Sequence, residues 1–537
     1  MTIHNSLRLY VSADTFTLEP VYNDPSVVTE NVVIQRSNGE LRLNAPAGRV
    51  PADEEVMTIY GVLGFIRLLA GEYMIVITDR HRVGRIGDHD IFKVKDYKIM
   101  PFSINNMALS NAQTTEEASY ISLLHSHLRS GAFHFSYGYE LTHTLQRQSD
   151  LRGNTLPMWE RADERFFWNY RLQSKFIEHT RRHKDQNLSN FILPIVNSFV
   201  EINSVAINGK PFIFALISRR SRHRAGTRYF SRGVDVDGNV SNFNETEQIV
   251  VVESTSSGLK PSVSGNHVMV AHVQTRGSIP VFWTQINNIK YTPKLQIFEN
   301  PQTENAFRKH FESQKRLYGP QLVINLINKK GYEGPMGAAF SKQIDVLSDP
   351  QIKYYHFDFH HECSKMRWHR VSLVLDHFHD DLVAQGTGNR TKVGALRDLE
   401  NSIVRYFKNN FMDGARQDAY DLFLLYDVHD GGSHPLIDHR PLQFKLVPLL
   451  LVVGFAMLTA CAILPESLAS SHILLFASFW VAVMAYTMRF IVAHGVHYVN
   501  WPRLVPLDSD MSLRQYPSVT SEAKLGTAEV ELGWKNE

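Results

Sequence analysis

The chain is predicted to be of mixed class (α+β/α-β), with a β-rich N-terminal region, an α/β region and a C-terminal pair of apolar helices. Three observations predict it. Short runs with period-two alternation fill the first hundred residues, strand-like and helix-like texture then mix to about residue 423, and two long uncharged runs close the chain. With 537 residues there is room for two or more cores.

The N-terminal strands are LRLYV, NVVIQ before Ser37-Asn38-Gly39, and EYMIVIT before Asp79, with Gly61, Gly64 and Gly71 as punctuation. MTIHNSLRLYVSADTF has no unbroken apolar core, so it reads as strand and not as a signal peptide. EEASYISLLHSHLRSG then carries helical texture and stops at Gly131. Asp150 to Glu160 is a loop, and the aromatics Phe166, Phe167, Trp168 and Tyr170 read as core. FILPIVNSFVEINSVAINGKPFIFALIS reads as strands, with Asn208-Gly209 a hairpin turn.

Composition narrows the function. A net charge of +2 creates no global field for nucleic acid, so anion recognition has to come from local clusters. Two cysteines exclude a disulfide framework and fit a reducing setting. One local cluster stands out. Arg219, Arg220, Arg222, Arg224, Arg228 and Arg232 crowd one short stretch with no acid among them. Guanidiniums so close together repel one another and call for an anionic partner, and their planar fork suits phosphate. Phosphate on a membrane and phosphate on nucleic acid both remain open from this segment alone. Arg276 and Lys329-Lys330 add cations at strand ends, where α/β folds place ligands.

Cys363 is the obvious nucleophile candidate, set among His360, His361, Arg367, His369 and Arg370. Nearby cations lower a thiol pKa from about 8.5 to roughly 3.5–7.5. The closing runs, Leu446 to Leu464 and Ile473 to Val492, are each long enough to span a bilayer. PESLASSH between them carries no Lys or Arg, whereas Arg440 and Lys445 precede the pair and Arg503 follows it. Positive charge stays inside, which puts both flanks on the cytosolic side. Cys461 lies within the first span as a packing residue.

An arginine-rich segment on a body held at a membrane points to phosphorylated lipid. RRSRHRAGTRYFSRGVDVDGNVSNFNETEQIV, QTRGSIPVFWTQ, FDFHHECSKMRWHR, DGARQDAYDLFL and VNWPRL resemble, in order and over nearly the whole length, the Sac family of phosphoinositide phosphatases. The likeness is nearest to its endoplasmic-reticulum and Golgi branch with a C-terminal hairpin. The resemblance implies a β-rich Sac subdomain (residues 1–185), a cysteine-phosphatase-like α/β subdomain (186–440), a transmembrane hairpin (446–492) and a cytosolic tail (493–537). It also implies hydrolysis of monophosphorylated phosphoinositides, chiefly phosphatidylinositol 4-phosphate, with no metal or other cofactor. Phosphoinositide headgroups and the membrane are the implied partners, and nucleic acid is not.

Family chemistry uses a Cys-x-x-x-x-x-Arg loop, usually within RTNCxDCLDRTN. Its thiolate attacks phosphorus while backbone N–H groups and the Arg hold the oxygens. Six residues after Cys363 stands His369, and no Cys-x-x-x-x-x-Arg occurs anywhere in the chain. HDDLVAQG resembles the family text before that loop, and TGNRTKVGALRDLENSIVRYFKNNF resembles text well after it. The phosphatase-like subdomain is therefore expected to be incomplete, with an internal deletion near 384–390, and the chain to be inactive. No catalytic residue and no metal ligand is assigned. Arg219, Arg220, Arg222, Arg224 and Arg228 are assigned as the substrate-binding electropositive surface, with Asn242, Glu245 and Glu247 supporting it. Cys363 is read as the entry to a helix and not as the nucleophile.

Overall fold

The computed structural model describes residues 3–22, 30–44, 55–103, 109–151, 153–253, 267–290, 293–298, 300–364, 367–378, 405–425, 441–463 and 471–504. The expected join near 384–390 lies outside them.

Five antiparallel strands open the chain: β1 (Leu7–Val11), β2 (Thr15–Pro20), β3 (Asn31–Gln35), β4 (Leu41–Asn44) and β5 (Glu55–Ile59), ordered β4-β3-β2-β1-β5. Alternation decides which face they bury. Leu7, Leu9, Phe16, Leu18, Val32 and Ile34 are almost fully buried and pack on Phe65, Met74, Val76 and Phe176.

A second sheet has eight strands: β6 (Val62–Leu68), β7 (Gly71–Ile86), β8 (His89–Pro101), β9 (Phe133–Phe135), β10 (Val196–Ile207), β11 (Lys210–Arg220), β12 (Asn244–Glu253) and β13 (His267–Arg276). They lie side by side as β13-β12-β11-β10-β9-β8-β7-β6. The sheet runs unbroken past residue 185, because β9 and β10 are hydrogen-bonded neighbours. Asn208 and Gly209 both take positive φ (52° and 75°), the two-residue hairpin geometry that matches strand twist. That turn fixes the β10–β11 register, with Ser198 opposite Arg219 and Ile207 opposite Lys210.

Helix α1 (Asn111–Leu128) begins at Ser110, whose side chain accepts from Gln113 N while Gln113 returns the bond to the Ser110 backbone. Its Tyr120, Leu124 and Leu128 join Phe133, Phe135, Trp168 and Phe423 in one core. Phe166, Phe167 and Trp168 are almost fully buried, as their aromatic run predicts. After β13 come the hairpin β14 (Trp283–Ile286) and β15 (Lys294–Ile297), helices α2 (Thr303–Tyr318) and α3 (Gly334–Leu347), and two parallel strands, β16 (Gln321–Asn325) and β17 (Ile352–His356).

Helix α4 (Asp413–Phe423) is covered by α1 and presents Tyr420, Leu422 and Phe423 to the core. Two apolar helices follow, α5 (Leu442–Ile463) and α6 (Ser471–Ala493), before a last described stretch that ends at Leu504. They pack on each other, yet only 6% of each apolar window is buried. A core helix of a soluble domain would be mostly covered. At 1.5 Å per residue each is about 33 Å long, enough to cross a bilayer. The first helix starts four residues before the expected Leu446, so it includes Phe444 and Lys445.

Candidate functional site

The five arginines expected on one anion-facing surface, Arg219, Arg220, Arg222, Arg224 and Arg228, are separated in the structure. Arg219, at the end of β11, is fully buried. Its Nη1 donates to Glu245 Oε1 (2.7 Å) and its Nη2 to Glu247 Oε2 (2.5 Å), while Nε and Nη2 also reach the carbonyls of Leu141 (2.6 Å) and His143 (2.9 Å). Arg222 is buried against Glu164, donating to its carbonyl (2.8 Å) and its carboxylate. Arg224, also buried and at φ 48°, donates to Ser241 Oγ (3.0 Å) and the Arg232 carbonyl (2.5 Å). These three therefore do not form the expected surface. The stretch carries no acid of its own, but the β11–β12 register delivers Glu245 opposite Arg219, and Glu164 arrives from an earlier loop.

Arg220 and Arg228 are placed differently. Arg220 stacks 4.6 Å from the Tyr420 ring centroid, donates to Tyr420 Oη (2.6 Å), and also donates to the Gly226 carbonyl and to Asn242 Oδ1. Arg228 is exposed. Both line a cavity of 460 Å³ together with Arg405, Lys408 and Arg416, and with Thr227, Asn409, Asp413 and Tyr420. The arginine loop closes against α4, where Thr227 N donates to Gln417 Oε1 (2.8 Å) and Thr227 Oγ1 to the Asp413 carbonyl (3.2 Å).

Five cations thus face one carboxylate. Burial raises the pKa of Asp413, and the charges of Arg416, Lys408 and Arg228 oppose that rise. A basin of this size and sign can hold a small polyanion by charge-assisted hydrogen bonds. A larger cavity, 610 Å³, lies between β4 and the helix Ser174–Arg182. Its cations are already matched, with Lys175 on Glu72 (2.5 Å), Arg182 on Glu178 (2.8 Å) and Arg42 on Glu40 (2.9 Å). The smaller basin is the better anion site. Neither Arg276 nor Lys329-Lys330 lines it.

Cys363 belongs elsewhere. It follows a short turn, Phe359–Glu362, capped by Asp358, and it packs on Phe357, Val374 and Phe378. Burial pushes its thiol pKa up, Glu362 adds to that, and Arg367 and Arg370 do not offset it. Arg370 is in fact paired with Glu362 (2.5 Å). A thiol held protonated in an apolar cluster is a poor nucleophile.

The basin is braced from behind by the residues that follow α6. Asn500 N donates to the Asn410 carbonyl (2.8 Å), and Ala415 N donates to Asn500 Oδ1 (2.7 Å). Asp418 Oδ1 accepts from Arg503 N (2.7 Å) and Leu504 N (2.9 Å), and the Trp501 ring lies 5.4 Å from Phe230. Helix α4 therefore carries basin residues on one side and this strap on the other. A Cβ at Gly414 would sit 2.2 Å from the Asn500 carbonyl oxygen. Gly414→Ala should therefore cost about 1–3 kcal/mol by overpacking and loosen the strap. Limited proteolysis between α6 and Leu504 checks it through faster cleavage.

Burial pushes Asp418 up to about 6, aided by Asp421 and opposed by the Leu504 and Arg503 amides and the Arg503 charge. The folded state then keeps a proton that the unfolded chain loses near pH 4. This contribution to stability falls as pH rises from about 4 through 6, and it is flat above. Asp418→Asn keeps an acceptor without the charge. It should stabilise the chain by about 2–3 kcal/mol at pH 7, an advantage that disappears below pH 4. Thermal melts of both chains across that range measure it.

Of the basin residues, Arg405, Lys408 and Arg416 were not singled out from sequence. They stand some 180 positions after the arginine loop in text noted only for its likeness to a family. The profile of the SacI homology domain matches residues 60–364, more than half of the chain. A protein described as phosphatidylinositol-3-phosphatase SAC1 of Saccharomyces cerevisiae is 34% identical, covering 89% of this chain and 90% of the relative. The zebrafish (Danio rerio) phosphatidylinositol-3-phosphatase SAC1-B and the Drosophila melanogaster SAC1 are each 32% identical, covering 94% of this chain and 98% of the relative. These alignments run over 582, 600 and 608 positions against a chain of 537 residues, so each relative carries residues with no counterpart here. The bare apolar helices and these relatives together make the protein membrane-associated. With the matched profile and near full-length coverage at this identity, the chain belongs to the Sac family of phosphoinositide phosphatases.

Proposed function

We propose that this chain is a membrane-held member of the family that binds the phosphatidylinositol 4-phosphate headgroup in the basin of Arg220, Arg228, Arg405, Lys408 and Arg416 and does not hydrolyse it. The observation that carries the reading is the pairing of an intact cationic basin with a missing nucleophile. No Cys-x-x-x-x-x-Arg exists in the sequence, and Cys363 is packed in an apolar cluster away from the basin residues. Holding a phosphate needs only donors and charge, whereas transferring it needs an activated nucleophile. The membrane is assigned to the endoplasmic reticulum and Golgi on the motif likeness. Both flanks of the helix pair are assigned to the cytosol, on Lys445 before it and Arg503 after it.

Headgroup binding is tested on the full chain in nanodiscs by calorimetric titration with inositol 1,4-bisphosphate, the soluble headgroup. Saturable binding is expected, weakened about tenfold or more by Arg228→Ala or Lys408→Ala, because each removes a charge-assisted contact. Absence of saturation, or affinity indifferent to both substitutions, contradicts the reading.

A second reading has its own observation. The relatives carry residues with no counterpart here, and the motif likeness puts the missing nucleophile loop near 384–390, so on this reading a longer product of the same gene with that segment would be the hydrolase. Sequencing the transcript across 383–390 decides it.

A further inference from the structure

We infer that the helical segment 405–412 is a second membrane contact, docking in the headgroup layer of the membrane that holds α5 and α6 and thereby fixing the basin at the level of lipid headgroups. Phe407 is 55% exposed, Phe411 43% and Met412 52%, with the two phenyl rings 5.2 Å apart. Residues four apart share a helix face, so Phe407 and Phe411 make one apolar patch, and Met412 is exposed beside Phe411 where the helix breaks. Arg405, Lys408 and Arg416 are exposed around it. An apolar face edged by long cations is the composition that lies in a bilayer interface, with its rings in the acyl boundary and its charges among phosphates.

Continuity with the helix pair selects a lipid surface as the occupant. The first turn of α5 and the end of α6 are locked to the strap, with Phe444 stacked 4.3 Å from His497 and packed on Phe490 and His494. At Gly495, two residues past α6, a Cβ would meet the Asn288 carbonyl at 2.3 Å, so the chain runs tightly against that loop. From the same loop, Asn287 Nδ2 donates to the Asn409 carbonyl (2.9 Å), and Tyr406 Oη donates to the Ile289 carbonyl (2.5 Å). Asn500, only seven residues past α6, is bonded to Asn410. At about 3.5 Å per residue at most, Asn500 lies within about 25 Å of the end of α6, and Phe411 of the patch stands one residue past its partner Asn410. A segment tied so short cannot stand far from the bilayer surface. Tyr498 and Trp501 on the strap are the residue types that settle at that surface.

The consequence is directional. A basin whose wall is also the docking helix meets lipids of its own membrane, and an apposed membrane does not reach it. The inference rests on the membrane-held part of the proposed function and is independent of its headgroup claim, so the two fail separately.

The full chain carrying Cys363→Ser and Cys461→Ser takes a single labelling cysteine at Phe407→Cys or Phe411→Cys, with Ile207→Cys on the exposed β10–β11 turn as the control. Each is labelled with an environment-sensitive fluorophore and reconstituted into vesicles with and without shallow spin-labelled phosphatidylcholine. Quenching of at least about twofold at 407 and 411, with none at 207, is expected for an interfacial face. Emission at 407 and 411 as unquenched as at 207 overturns the inference. That holds whether the label reports water or, by a blue shift without quenching, a cover supplied by another protein or a second copy. The thermal transition of each labelled chain confirms that it is folded.

Discussion

Arg219→Met lowers the stability of the chain by about 3–5 kcal/mol, the cost of leaving buried carboxylates without their cation. Glu245 and Glu247 are both fully buried, and each accepts a hydrogen bond from the Arg219 guanidinium, at 2.7 and 2.5 Å. Removing that partner leaves Glu247 with the Leu145 amide (2.7 Å), and Glu245 with Tyr318 and a distant Arg165 (3.8 Å). The network also ties β11 and β12 to the carbonyls of Leu141 and His143, so the loss spreads across three segments. Denaturant unfolding in detergent measures it. A companion chain, Arg219→Met with Glu245→Gln and Glu247→Gln, should recover much of the loss, because no buried charge is then unpaired. A cost below about 1 kcal/mol for Arg219→Met alone would contradict this account of the network.

The second large effect concerns catalysis. Inserting a loop of the family form, with Cys-x-x-x-x-x-Arg, at residues 384–390 should raise phosphate release from phosphatidylinositol 4-phosphate from background by several orders of magnitude, the scale that an activated nucleophile and a preorganised anion cradle contribute. Cys363→Ala in the inserted chain should leave that rate unchanged, since Cys363 packs on Phe357, Val374 and Phe378 and its thiol is held protonated by burial. Inorganic phosphate assay of reconstituted vesicles reads both. An inserted chain that stays silent while folded and binding headgroup would place the defect outside the missing stretch.

Much of the fold was legible because local chemistry repeats it. The apolar runs had to be helices, since nothing else satisfies so long an uncharged backbone in lipid. Asn208-Gly209 announced its turn because few residue pairs tolerate two positive φ values in succession. The Phe166–Trp168 cluster announced a core. The site was less legible, for a different reason. Whether an arginine meets solvent or a carboxylate is set by residues far away in sequence. Glu245 reaches Arg219 only through strand register, and Glu164 reaches Arg222 only through a loop packing back. The same distance hid Arg405, Lys408 and Arg416, which join Arg220 and Arg228 because Gln417 and Asp413 hold the loop at Thr227. No Cys-x-x-x-x-x-Arg begins at Cys363, which the sequence shows directly, but its apolar surroundings were not visible in a neighbourhood written His, Arg and Lys.

The most direct test of a headgroup binder without turnover is a paired measurement on one preparation of the full chain, reconstituted with phosphatidylinositol 4-phosphate. Phosphate release is followed by a colorimetric assay, and headgroup occupancy by titration with inositol 1,4-bisphosphate. The account predicts saturable binding that depends on Arg228 and Lys408, with phosphate release no greater than from a heat-unfolded control. Release that exceeds the control and is abolished by Cys363→Ala would contradict it.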